Sequence, residues 1–188
     1  MRLRQLVLGL SGASPIPMTD KTASPRSREF AVLVPILEHE GNECVLLTKR
    51  PDTLARYAGQ VCLPGGERDP VDATLEDTAL RETWEEVGIP RDRVTLLREL
   101  GWHRTSVDHR VKPFVGRIAA PYELRPDPRE VERVLFVPTA LITPDLFRVR
   151  GAWVGPDGRE HTVHTFPWDG YEIWGLTARI LQEAFLGG

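Results

Sequence analysis

Apolar and polar positions alternate most clearly in two early stretches, Phe30 to Leu37 and Cys44 to Thr48, with Gly41-Asn42 between them. That pattern predicts two strands joined by a turn. Further strands are predicted at Gln60 to Leu63, Val94 to Trp102, Val111 to Ala119 and Val134 to Val137. A helical turn is expected at Thr139 to Ile142. Phe147 to Arg150 and His161 to Phe166, either side of Gly155-Pro156-Asp157-Gly158, suggest a hairpin. Tyr171 to Trp174 is a last strand and Leu176 to Leu186 an amphipathic helix. One more helix is predicted within Gly59 to Ile89. Leu75, Ala79, Thr83 and Val87 recur every four residues and form its buried side, Asp72 is placed as N-cap, and Gly88 and Pro90 stop it. Strands and helices mixed in this order, with hairpins, predict an α/β fold in which helices cover both faces of a mixed sheet.

The central helix carries the chemistry. Glu82, Glu85 and Glu86 stand at i, i+3 and i+4, so their carboxylates share one face, and Arg81 lies four residues before Glu85. A solvated acidic face would give the same spacing. The order of features argues for more: Pro64-Gly65-Gly66 gives a tight loop whose backbone can come close to a ligand or ion, and an Arg-Glu pair and a Glu-Glu pair follow. Hard oxygen donors of this kind suit Mg²⁺ or Mn²⁺, and those ions suit phosphate substrates.

Residues Gly66 to Ile89 resemble the signature of the Nudix hydrolases, most closely in Arg81-Glu82-Thr83-Trp84-Glu85-Glu86-Val87-Gly88-Ile89. The spacing from glycine to arginine is one residue longer than usual. Ala73 lies where the register from Arg81 would place a glutamate, with Asp72 and Glu76 as possible substitutes. The resemblance implies an α/β/α sandwich and a metal held by Glu82, Glu85, Glu86 and the Gly66 carbonyl. In such enzymes the general base comes from the signature or from a distant loop; Glu85 is the expected base here, with Arg81 orienting it. Leu46 to Arg50 (LLTKR) and Gly59 to Gly66 (GQVCLPGG) narrow the likeness to coenzyme A diphosphatases, as does Pro167 to Ala178. Pro51, Ala55 and Leu63 depart from that subgroup's usual residues. The expected reaction cleaves coenzyme A or a derivative to 3′,5′-adenosine bisphosphate and 4′-phosphopantetheine. Other nucleoside diphosphate derivatives, such as ADP-ribose or NADH, are the alternative substrates, and a non-catalytic Nudix-fold binding module is the alternative role.

Arg50 and Arg56, with Gly65 beside them, are the candidate substrate-binding residues, because a guanidinium fork matches phosphate oxygens. Arg50 could instead brace the glutamate helix. The loop from Lys49 to Arg56 predicts a preference for the 3′-phosphate of coenzyme A. His103 and His109 are expected as solvated loop residues, and Trp168 and Trp174 as packing residues with a lesser claim to base stacking.

The 188 residues suit one domain, expected over 29–188, with residues 1–28 an arm made of a short docking helix and a linker. With 41% apolar and 27% charged residues the balance is that of a soluble protein, and a net charge of −3 argues against nucleic acid as partner. No run approaches the length of a membrane span. The only two cysteines, Cys44 and Cys62, sit in apolar runs and read as buried thiols of a reducing, cytoplasmic setting. A monomer or a homodimer is expected.

Overall fold

The first strand runs through both halves of the core. In the computed structural model, which describes residues 28–106, 108–155, 158 and 160–187, it is β1, Glu29–His39. Ala31 and Leu33 face one helix while Val34 and Ile36 face another, so burial is nearly continuous along the strand. Glu40 and Gly41, both at positive φ (50° and 76°), turn the chain into β2, Asn42–Lys49. A loop with two such residues has the twist that suits a tight hairpin.

The remaining predicted elements appear in the predicted order, with two short strands added that the sequence did not predict. They are β3 (Val61–Cys62), β4 (Gly65–Glu67), α1 (Leu75–Val87), β5 (Val94–Glu99), β6 (His103–Arg104), β7 (Arg110–Ile118) and β8 (Arg133–Pro138). Then come β9 (Arg148–Val154), β10 (Glu160–Trp168), β11 (Tyr171–Trp174) and α2 (Gly175–Leu186). Eight strands form a mixed sheet in which β1 and β7 are parallel; β9, β10 and β11 form a second, antiparallel sheet. Helix α1 packs on one face of β1, with Ala79 against Ala31 and Leu33, and α2 supplies Ala178, Ile180 and Leu181 to the other face. This is the mixed sheet with helices on both faces that the sequence predicts. Among the described residues no helix is long and apolar enough to cross a membrane. Apart from Arg28, the expected arm lies outside the described residues.

One feature of the sheet positions the site. β1 pairs with β2 from Ile36 to His39 but with β4 from Phe30 to Val32, so β1 and β2 splay apart. β3 and β4 fill the gap, β3 pairing with the end of β2 at Thr48 and Lys49. Gly65 and Gly66 are therefore strand residues, where the sequence predicted a tight loop. Gly65 has φ 149°, and a Cβ there would stand 2.3 Å from the Ala31 carbonyl oxygen. Glycine at 65 is explained by this close approach of backbone to backbone.

Asp72 is not the N-cap of α1, as the sequence suggested. Thr74 is. Its hydroxyl accepts from the Asp77 amide at 3.1 Å, and Asp77 accepts from the Thr74 amide at 3.0 Å, a reciprocal capping box. Gly88, at φ 78°, closes the helix with a 2.8 Å bond from its amide to the Trp84 carbonyl. The stretch from His103 to Arg110 also departs from expectation, since its first two residues form β6. The preceding strand ends at Glu99, short of Trp102.

Thr74→Ala should lower unfolding stability by about 1 kcal/mol. Urea unfolding followed by circular dichroism measures it; an unchanged midpoint would show that the cap contributes nothing.

Candidate active site

Arg81 projects from the middle of α1 back toward the end of β4, and its donors are shared among four groups. Nε and one terminal nitrogen grip the two oxygens of Asp72 at 3.0 and 2.9 Å. The other terminal nitrogen donates to Glu82 at 2.8 Å and to Glu85 at 3.1 Å. A further bond of 3.1 Å reaches the Glu67 carbonyl. Asp72 is buried and also accepts from the Asp69 amide and the Thr78 hydroxyl, each at 2.9 Å. Arg81, helped by these bonds, holds the Asp72 carboxyl down at about 2. Of the two carboxylates near Ala73, Asp72 is the one that pairs with Arg81. Glu76 stays exposed in the first turn of α1.

The remaining glutamates are graded by burial. Glu85 is open to solvent, with 44% of its side chain exposed. Glu82 is mostly covered, and desolvation raises its pKa against the pull of Arg81. Glu86 is buried, and desolvation pushes its carboxyl up to about 8; the charges of Glu82 and Glu130 push the same way, while Arg50 opposes them. Arg50 stands 4.0 Å from Glu86, which favours its bracing role, yet its Nε is buried without a partner. The Oε2 atom of Glu86 is likewise buried without a hydrogen bond. A Cβ at Gly66 would stand 2.4 Å from the Glu82 carboxyl carbon, so only glycine lets that carboxylate lie against β4.

An unpartnered buried carboxylate oxygen beside a second carboxylate is the kind of oxygen donor that a small hard cation takes. The residues fit such an ion in kind. As the side chains stand, no three carboxylate, imidazole or thiol groups among the described residues converge on one point. Arg81 holds Glu82 and Glu85 to itself.

Other sequence expectations are sorted by their partners. Lys49, counted with the basic loop, is buried and bound to Glu132 at 2.6 Å and Asp52 at 3.1 Å, so its charge is matched inside the protein. Arg56 is exposed in that loop. His103 and His109 are buried, contrary to their reading as solvated residues. β6 turns His103 toward Glu183 of α2 at 2.8 Å, and His109 stacks on Phe30. Trp168 packs against the main core, and Trp174 lies under Arg150, with the guanidinium 5.0 Å from its ring centre. Both cysteines are free thiols, and burial pushes Cys62 up to about 12. Sequence reasoning did not single out Glu130. Its charge reaches Glu82 and Glu86 from a loop that follows β7, and nothing near it in sequence marks it.

Because the folded pKa of Asp72 lies below its ordinary value, the stability it adds is complete above about pH 4 and lost as pH falls through about 2. Asp72→Asn should therefore cost on the order of 2 kcal/mol near neutrality, with the gap to wild type narrowing between pH 4 and 2. Urea midpoints against pH check this; a gap independent of pH would refute the Arg81–Asp72 pairing.

The NUDIX domain family matches residues 27–156. The uncharacterized Nudix hydrolase NudL of Photorhabdus laumondii is 36% identical over 168 residues, covering 89% of this chain and 89% of that protein. The peroxisomal coenzyme A diphosphatase NUDT7 of Mus musculus is 35% identical over 161 residues, covering 82% of this chain and 67% of that protein. Among solved structures, a Nudix hydrolase from Alicyclobacillus acidocaldarius superposes with a TM-score of 0.51 at 21% identity, over 63% of this chain and 82% of that one. A C. elegans Ap4A hydrolase gives 0.50 at 19% identity, over 60% and 81%. These two share the fold. With the family match spanning the Arg81 web and two relatives aligned over more than four fifths of the sequence, the chain belongs to the Nudix hydrolases, enzymes that act on nucleoside diphosphate derivatives.

Proposed function

We propose that this chain hydrolyses the diphosphate bond of coenzyme A or its derivatives with the help of Mg²⁺ or Mn²⁺. The products are 3′,5′-adenosine bisphosphate and 4′-phosphopantetheine. The observation that carries this reading is the position of Arg50: the last residue of the LLTKR stretch stands 4.0 Å from Glu86. The segment that resembles coenzyme A diphosphatases thus lines the glutamate cluster. The relative from Mus musculus, similar over 82% of this chain, supports it.

Glu82, Glu86 and the Gly66 carbonyl would hold the cation, with Glu85 completing the set. When bound, the ion supplies charge neutralisation for the diphosphate and acidifies a water molecule. Glu85, the most exposed of the three glutamates, takes the proton from the attacking water. Arg81 holds Glu85 and Glu82 in register through one shared nitrogen, so the base and a ligand stay in fixed relation. Arg50 and Arg56 offer guanidinium forks to the diphosphate oxygens. Gly65 serves by letting β4 lie close to β1.

The test is kcat/KM for coenzyme A, dephospho-coenzyme A and ADP-ribose, with products separated by chromatography. Coenzyme A should lead, by about tenfold over its dephospho form, as one charge-assisted contact would give. A clear preference for ADP-ribose would overturn the substrate while leaving the diphosphate chemistry in place. No turnover of any of the three would favour a binding module.

A further inference from the structure

A second site lies away from the glutamates. At the edge of the main sheet, residues of β6, β7, β9, β10 and α2 line an open cavity of about 530 Å³. Its lining brings together three arginines, Arg104, Arg110 and Arg179, and two tryptophans, Trp102 and Trp153, with no carboxylate among the lining residues. In a chain of net charge −3 such a concentration of cations is not a general property of the surface.

The cations differ in how well they are neutralised. Arg110 bonds Glu29 at 3.3 Å and lies over the Trp102 ring, 4.0 Å from its centre. Arg104 pairs with Asp108, both exposed, an arrangement that contributes little in water. Arg179 is half-buried, and among the described residues no carboxylate stands within ion-pair distance of it. It is held instead by neutral acceptors: Nε donates to His103 Nδ1 at 3.1 Å and a terminal nitrogen to the Arg104 carbonyl at 2.9 Å. Since Nδ1 of His103 accepts, its Nε2 carries the hydrogen and donates to Glu183 at 2.8 Å. Glu183 fixes His103, and His103 aims Arg179. A guanidinium so fixed, with the charge of Glu183 reaching it from beyond His103 and no carboxylate in direct contact, keeps donors for an anion. Trp153, stacked on His161 at 5.1 Å, and Trp102 offer aromatic faces beside it. Guanidinium forks next to indoles suit a phosphate joined to a flat ring system, as in a phosphorylated nucleoside.

The cavity also stands in register with the Arg81 web. Glu67, Phe30, Val111 and His103 are paired in one row across β4, β1, β7 and β6. Three strand spacings separate the ends of that row, about 14 Å. Arg81 bonds the Glu67 carbonyl at one end, and Arg179 bonds His103 at the other.

We propose that this cavity receives the phosphorylated nucleoside end of the substrate. Arg104 and Arg179 take the ribose phosphate and Trp153 stacks on the base. The proposal deepens the coenzyme A reading and rests on it for the identity of the nucleoside. It moves recognition of the 3′-phosphate from the Lys49–Arg56 loop, where Lys49 is already neutralised, to α2 and β6.

The experiment is calorimetric titration of the metal-free full chain, which cannot turn over, with 3′,5′-adenosine bisphosphate and with adenosine 5′-monophosphate. Wild type should bind the bisphosphate about tenfold more tightly than the monophosphate. Arg104→Ala and Arg179→Ala should remove that preference, and Trp153→Ala should weaken both ligands. In turnover of coenzyme A the same changes should raise KM more than they lower kcat. Arg104 is exposed, so its variant keeps the test open if Arg179→Ala fails to fold. Tight bisphosphate binding, lost in Arg104→Ala, in a protein that does not cleave coenzyme A would uphold the cavity and sink the reaction. Cleavage of coenzyme A with the bisphosphate preference intact in Arg104→Ala would sink the cavity and leave the reaction standing.

Discussion

The grip of Arg81 on Asp72 is the interaction on which the rest of the site depends. Two bonds of 3.0 and 2.9 Å fix the guanidinium plane, and that plane decides where its remaining donors point. They point at Glu82, Glu85 and the Glu67 carbonyl, tying α1 to β4. Glu82 is thereby pressed over Gly66, where a side chain would collide with it. One arginine thus sets the spacing between the helix that carries the glutamates and the strand that carries the glycine carbonyl. Lysine, a single point donor, could not bridge these groups together.

The splayed sheet divides labour between its faces. On one face α1 presents acidic groups, and desolvation pushes one of them, Glu86, up to about 8. At the opposite edge α2 and β6 present guanidinium groups, beside the indoles of Trp153 on β9 and of Trp102 just before β6. A substrate with a diphosphate in the middle and a phosphorylated nucleoside at one end needs both: cation-assisted chemistry at the bond and fixed positive charge at the end.

Much of the fold was legible because it rests on local signals. The four-residue recurrence of Leu75, Ala79, Thr83 and Val87 marked α1, and Gly88 marked its end. The first hairpin turns one residue before the expected Gly41-Asn42, and the strand before α2 fell where it was placed. Errors arose where two residues of similar type competed. Asp72 and Thr74 are both good caps, and only the fold shows that Arg81 claims Asp72 and leaves the cap to Thr74. Gly65 and Gly66 looked like a turn because glycine is read locally, whereas their reason is a partner strand in β1 more than thirty positions earlier. The cavity at β6 was invisible for the same cause. Arg179 and His103 lie 76 positions apart, and neither carries a motif. Lys49, basic in the sequence, is neutralised by Glu132, 83 positions away.

The central claim is that burial of Glu86 beside Glu82 and Gly66 creates a divalent-cation site. Electron paramagnetic resonance of Mn²⁺ titrated into wild type and Glu86→Gln tests it most directly, because it reads binding without turnover. Glutamine keeps the volume and removes the charge. The variant, folded by near-ultraviolet circular dichroism, should bind Mn²⁺ at least about tenfold more weakly, a loss of about 1.4 kcal/mol. Equal affinity in the two proteins would contradict the account.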